Sequence, residues 1–190
     1  VPEGSLEPDP EAAPHTEILV GARVLPDAAV RALAERLAGA RRPLFVCGPF
    51  DAPGGAAALA GLAAVLGAPI LADGLANLRT GSHQRANVVA HADLVLRSAA
   101  VRSVLRPDLV VRWGASPTSK PVLGFLSETA APQIVVDDGG WNEPTLLPGT
   151  MIQAEPVALA AALLEAVRFL GAAGLGDRAR SGWLAAWRAL

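Results

Sequence analysis

The chain has no tyrosine, one cysteine, one methionine and one lysine among its 190 residues. Each shortage removes a class of explanation. With Cys47 alone there is no internal disulfide framework and no paired-thiol metal motif, and a reducing compartment, the cytoplasm, is expected. Aromatic residues make up 4% of the chain, too few for a platform on which unpaired bases stack. Sixteen basic side chains face eighteen acidic ones, a net charge of −2, so no basic footprint for nucleic acid is present. His15, His83 and His91 are scattered, and none stands at i, i+4 with another ligand. Neither a GxSxG elbow nor a Cys–His signature for nucleophilic catalysis occurs.

Charge is also missing from Ala52–Ala72, a run long enough on paper to span a bilayer. It is mostly Ala and Gly, and Gly67-Ala68-Pro69 breaks it where a helix should stop, so a helix followed by a buried strand is expected, and no membrane. The chain opens at Val1 with acidic, Pro-rich residues and without a basic then apolar leader. The expectation is a start inside a longer polypeptide.

What is present alternates between short apolar runs and helical periods. Val1–Pro14 reads as an extended linker, and His15–Leu25 as a segment lying against the domain surface. Asp27 is placed to cap a helix with Val30, Leu33 and Leu37 on one face, ending near Gly39. Pro43–Cys47, Ile70–Ala72, Leu109–Val111, Gln133–Asp137 and Met151–Gln153 read as buried strands. Between them fall an Ala-rich helix to Leu66, two short helices at His91–Arg97 and Val101–Leu105, and a helix from Lys120-Pro121. A long apolar helix follows from Pro156 to about Leu170, and after the Gly-rich joint Gly171–Gly176 a last helix carries Trp183 and Trp187 on one face. This alternation predicts an α/β fold: a three-layer, doubly wound, mostly parallel sheet.

Sites in such folds lie at the carboxyl ends of strands. The loop GPFDAPGG after Cys47 fails the dinucleotide fingerprint, because Pro49 and Pro53 remove amide donors and the glycines are misspaced. Cys47 is expected as a small core residue, and His91 as a packing or capping one. Asp137 and Asp138 are expected either to cap the turn after their strand or to pair with arginines. In Arg106–Leu126 a strand runs into Ala115–Ser119, with a Pro and three hydroxyl side chains, and then Lys120. One lysine against fifteen arginines, at a strand-to-helix loop, suits a compact ammonium rather than a planar fork, or is surface drift. Arg79, Arg97, Arg112 and Lys120 all fall near loops or strand ends; if some converge they form a carboxylate or phosphate site, and otherwise each is a separate surface ion pair.

Four stretches taken together resemble one family. RPLFVCGP (Arg42–Pro49), APILADGLANLR (Ala68–Arg79), VLRPDLVVRWGASPTSKPVL (Val104–Leu123) and QIVVDDGGWNEPT (Gln133–Thr145) are similar, in order and spacing, to the central domain of the 2-succinyl-5-enolpyruvyl-6-hydroxy-3-cyclohexene-1-carboxylate synthases, thiamine-diphosphate enzymes of menaquinone biosynthesis. The resemblance implies a full-length enzyme that binds thiamine diphosphate and Mg²⁺ between its N- and C-terminal domains. That enzyme would decarboxylate 2-oxoglutarate and add the succinyl semialdehyde unit to isochorismate. This chain would be its Rossmann-like middle: residues 1–25 a linker and lead-in, 26–170 the central domain, 171–190 a helix leading to the next. The implied partners are those two domains, further copies in a dimer or tetramer, and small carboxylate substrates. Lys120 carries over as a contact to a substrate carboxylate. Some relatives have Arg where Pro121 stands, so a second cation there is missing. No Gly-Asp-Gly followed by Asn-Asn occurs, so neither cofactor nor metal is assigned to this chain and none of its residues is assigned a catalytic role. The competing expectation is a stand-alone Rossmann-like module for a nucleotide or anionic regulator. A third is the central domain of an acetolactate synthase or oxalyl-CoA decarboxylase relative, against which the SKP and GGW motifs count.

Overall fold

The computed structural model describes residues 16, 18, 19, 21–140, 142–171 and 177–190. The expected linker at 1–14, His15, Trp141 and most of the Gly-rich joint lie outside the described residues. Six strands, β1 (Pro43–Cys47), β2 (Ile70–Ala72), β3 (Val88–Val89), β4 (Leu109–Trp113), β5 (Gln133–Asp137) and β6 (Thr150–Gln153), form one sheet. Every pairing is parallel and the order is β3-β2-β1-β4-β5-β6. The helices are α1 (Asp27–Gly39), α2 (Gly55–Leu66), α3 (Ala92–Val95), α4 (Ala99–Val104), α5 (Lys120–Glu128), α6 (Pro156–Gly171) and α7 (Asp177–Arg188).

The apolar runs become strands because both faces of the sheet are covered, so every residue of β1, β4 and β5 is buried. Alternation sorts them. Phe45, Cys47, Val111, Trp113, Ile134 and Val136 meet α1, α2 and α6 on one face. Leu44, Val46 and Val110 meet Val122, Phe125 and Leu126 of α5 and both tryptophans of α7 on the other. α7, the helix expected to lead to a further domain, packs its two tryptophans into this second layer. The Trp183 indole N–H donates to Pro43 O at 2.8 Å, and Trp183 and Trp187 sit edge to face at 5.8 Å.

Four local expectations change. Pro26, not Asp27, holds the cap position of α1, since its carbonyl already accepts from the N–H groups of Ala29 and Val30. Asp27 instead places its charge in the first turn, where the helix dipole favours it. Residues 88–89 pair with β2 as a two-residue strand, too short to show any period in sequence. The helices after it are Ala92–Val95 and Ala99–Val104, the first shorter than expected. In the lead-in, Leu25 packs against the core while Ile18, Leu19 and Val24 stay exposed.

Candidate functional site

In a sheet of this order, ligands meet the protein where neighbouring strands send their helices to opposite faces. Here that point lies between β1 and β4, because α2 follows β1 onto one face and α5 follows β4 onto the other. Two of the three glycines after Cys47, Gly48 and Gly55, are used there for packing. A Cβ on Gly48 would stand 1.8 Å from Ala115 O, and one on Gly55 would stand 2.3 Å from the ring of Phe50. A Cβ on Gly114, at φ +73°, would stand 2.5 Å from Pro49 O. The cleft left at this end measures about 190 Å³, and Asp51, Asp137 and Asp138 all line it. A pyrophosphate would meet an aromatic ring and three carboxylates rather than a row of amide donors.

The built feature is the loop after β4. Asp73, the first residue beyond β2, is buried, and its Oδ2 accepts from both the N–H and the hydroxyl of Thr118 at 2.7 Å. Its Oδ1 accepts from Leu75 N–H at 3.0 Å. Since β1 lies between β2 and β4, this carboxylate reaches across the end of β1. Burial alone would raise the Asp73 pKa. The bonds from Leu75 and Thr118, with Arg79 nearby, outweigh it and hold the carboxyl below its ordinary value. One residue on, Ser119 donates its hydroxyl to Asp93 Oδ1 at 2.5 Å and accepts from Val122 N–H as the cap of α5. The Ser119 bond first, and Arg97 next, keep the Asp93 carboxyl below its ordinary range as well. Lys120 follows as the first residue of α5, exposed, its ammonium making no hydrogen bond or ion pair to any described residue.

The arginines named with it separate. Arg79 folds back, Nε and Nη2 both donating to Ala72 O at 3.0 and 2.8 Å, and lines a narrow space with Asp73, Asp93 and Ser119. Arg97 pairs with Asp93 at 3.1 Å and is largely exposed. These two therefore share Asp93 as a neighbour, beside the residue that precedes Lys120. Arg112 does not join them. It lies inside β4 rather than at a strand end, with its guanidinium buried and committed to the Glu143 carboxylate, Ser116 and Thr145. Burial draws its pKa down, and Glu143 opposes that.

Sequence reasoning did not single out Asp93, Thr118 or Glu143, and it marks Asp73 only as the start of the Gly- and polar-rich loop Asp73–Asn87, a candidate functional region because loops at strand ends carry sites. Asp73 was visible as a residue just past a strand, but a partner 45 positions away leaves no local signal. Asp137 takes the capping role, accepting from the N–H groups of Gly139 and Gly140 and from Asn142. His91 holds the position before α3 without a capping bond from its side chain, and His83 bonds to Leu78 O. Cys47 is fully buried, and burial pushes its thiol pKa far up. A larger apolar groove of about 840 Å³, lined by Val30, Ala166 and Phe169 among others, lies between α1 and α6, across the sheet from α5.

No protein-family model matches the chain. It is 42% identical over 173 residues to 2-succinyl-5-enolpyruvyl-6-hydroxy-3-cyclohexene-1-carboxylate synthase of Geobacillus thermodenitrificans, covering 90% of this chain and 28% of that relative. The synthase of the same name from Bacillus velezensis is 37% identical over 193 residues, 96% of this chain and 32% of the relative. That from Halobacterium salinarum is 41% identical over 156 residues, covering 80% and 24%. The chain thus spans less than a third of the length of these relatives. Among solved structures, an enzyme from Mycobacterium smegmatis described as thiamin diphosphate-dependent shares the fold, at TM-score 0.54 and 23% identity over 82% of this chain and 30% of that one. On this evidence the chain is a domain-sized segment homologous to 2-succinyl-5-enolpyruvyl-6-hydroxy-3-cyclohexene-1-carboxylate synthase.

Proposed function

We propose that this segment is the central domain of such a synthase: a support for cofactor-binding domains housed elsewhere in the polypeptide, which contributes one loop to substrate binding. In the full-length enzyme thiamine diphosphate with Mg²⁺ would supply the chemistry that decarboxylates 2-oxoglutarate and passes the four-carbon unit to isochorismate. The residues of this chain do not fit that cofactor. The space beside Gly48 is filled by neighbouring backbone and that beside Gly55 by Phe50, and three aspartates face the cleft there. No described group of three His, Cys, Asp or Glu side chains comes together to hold a metal.

The observation that carries the proposal is the state of Lys120. Its loop is bonded to two carboxylates while the ammonium itself is left exposed and unpaired among the described residues. An ammonium in that state suits the carboxylate of a small substrate, which arrives carrying its own charge. Arg79 and Arg97 flank Asp93 and do not reach Lys120 through any bond, so they enter the proposal only as neighbours of the same corner. With it go the flanking domains and further copies, a dimer or tetramer, as partners, and the cytoplasm as location. No described helix is long and apolar enough to cross a membrane.

In the full-length enzyme, Lys120→Ala raises KM for one carboxylate substrate by about tenfold, the order of one charge-assisted hydrogen bond, and leaves the melting temperature within about 1 °C. Unchanged kinetics would return Lys120 to the surface and remove this role.

A further inference from the structure

We infer that Asp73 and Asp93 are positioning residues for Lys120: the two carboxylates grip consecutive residues, Thr118 and Ser119, and so set the direction in which the lysine leaves α5. This rests on Lys120 being a substrate contact and adds to it the residues that aim it.

Three features of the geometry carry the inference. First, the grips come from separate elements, Asp73 from the end of β2 and Asp93 from α3. A loop held at one point can pivot, whereas one held at two adjacent residues from two sides cannot. Second, the loop supplies two of the three hydrogen bonds that Asp73 accepts. Thr118 is exposed, yet it gives both its N–H and its hydroxyl to a carboxylate that is only 6% exposed. Burying that charge is costly unless it is fully bonded, and its bonds come from Leu75 and from this loop. Third, the grip stops at Ser119. The Ser119 carbonyl accepts from Leu123 N–H at 3.0 Å, so the backbone through the first turn of α5 is set, and the next side chain is the unpaired ammonium. Fixing the backbone beneath a long flexible cation lowers the entropy lost when that cation meets an anion.

The test is a mutant cycle in the full-length enzyme, read as KM for 2-oxoglutarate and for isochorismate. Asp73→Asn probes the clamp directly but risks the fold, because Asp73 is buried. Thr118→Val is the decisive variant, since it removes one hydroxyl at an exposed position. We expect Thr118→Val to raise the same KM that Lys120→Ala raises, by about three- to fivefold, with kcat within about twofold, as fits one lost hydrogen bond that acts on binding. Thr118→Ser, which keeps the hydroxyl, restores it. Thr118→Val/Lys120→Ala is no worse than Lys120→Ala alone, because a positioning residue has nothing left to position. Additive effects, or a silent Thr118→Val beside an effective Lys120→Ala, overturn the clamp and leave the Lys120 contact standing. A silent Lys120→Ala overturns both.

Discussion

Gly48 and Gly124 show how differently one residue type is used in this chain. A Cβ at Gly48 meets backbone at Ala115, which cannot swing away, whereas at Gly124 in α5 nothing lies within 4 Å. Gly48→Ala therefore costs upwards of about 3 kcal/mol or prevents folding, while Gly124→Ala stabilises by about 0.5–1 kcal/mol, both read from urea unfolding. Cys47 is equally plain: its buried thiol resists a disulfide reagent in the native state and reacts at once in denaturant. Asp73 sets a pH dependence. Its native pKa lies below the unfolded value, so its contribution is complete above about pH 4 and fades as pH falls through the lower native pKa. Wild type should lose stability more steeply than Asp73→Asn as pH drops below about 4, and equal slopes would deny the clamp its charge. At this scale Cys47 was legible as a core residue from its place at the end of an apolar run. Arg112 was not, because only the fold places Glu143 against it.

Among the elements, the strands were the readable part. Pro43–Cys47, Ile70–Ala72 and Gln133–Asp137 appear with the bounds their apolar runs mark, since burial on both faces demands unbroken apolar sequence. β3 was not readable, being two residues whose strand character comes from pairing with Ile70 and Leu71. The role of α7 was half readable. The spacing of Trp183 and Trp187 gave a shared face, but nothing local says that the face docks onto β1 and Phe125. Trp187→Ala empties a fully buried site and costs about 3–5 kcal/mol, loosening α7 from the second layer. The pair joining β4 to the loop before β6 gives a sharper contrast. Arg112→Met leaves the Glu143 carboxylate buried without its partner, a loss of about 3–5 kcal/mol. Arg112→Met/Glu143→Leu recovers most of it, because the pair's attraction is largely spent on its own desolvation.

At the scale of the whole molecule, one parallel sheet places every strand-to-helix loop on the same edge, and that edge is unevenly furnished. Over β1 the ends of the strands are sealed by Gly48, Phe50 and Gly114 and ringed with aspartates. Over β4 two carboxylates hold a loop that offers one lysine outward. The doubly wound class was legible from alternating runs and periods, and the division of labour along that edge was not, since it depends on bonds between residues 26 and 45 positions apart. The role proposed for such a molecule is to support and present, since its own cleft is not shaped for a phosphorylated cofactor. Calorimetry of thiamine diphosphate with Mg²⁺ titrated into this 190-residue chain tests that most directly. No binding heat is expected up to about 1 mM cofactor, a Kd limit equivalent to about 4 kcal/mol. A saturable isotherm with micromolar Kd would contradict it.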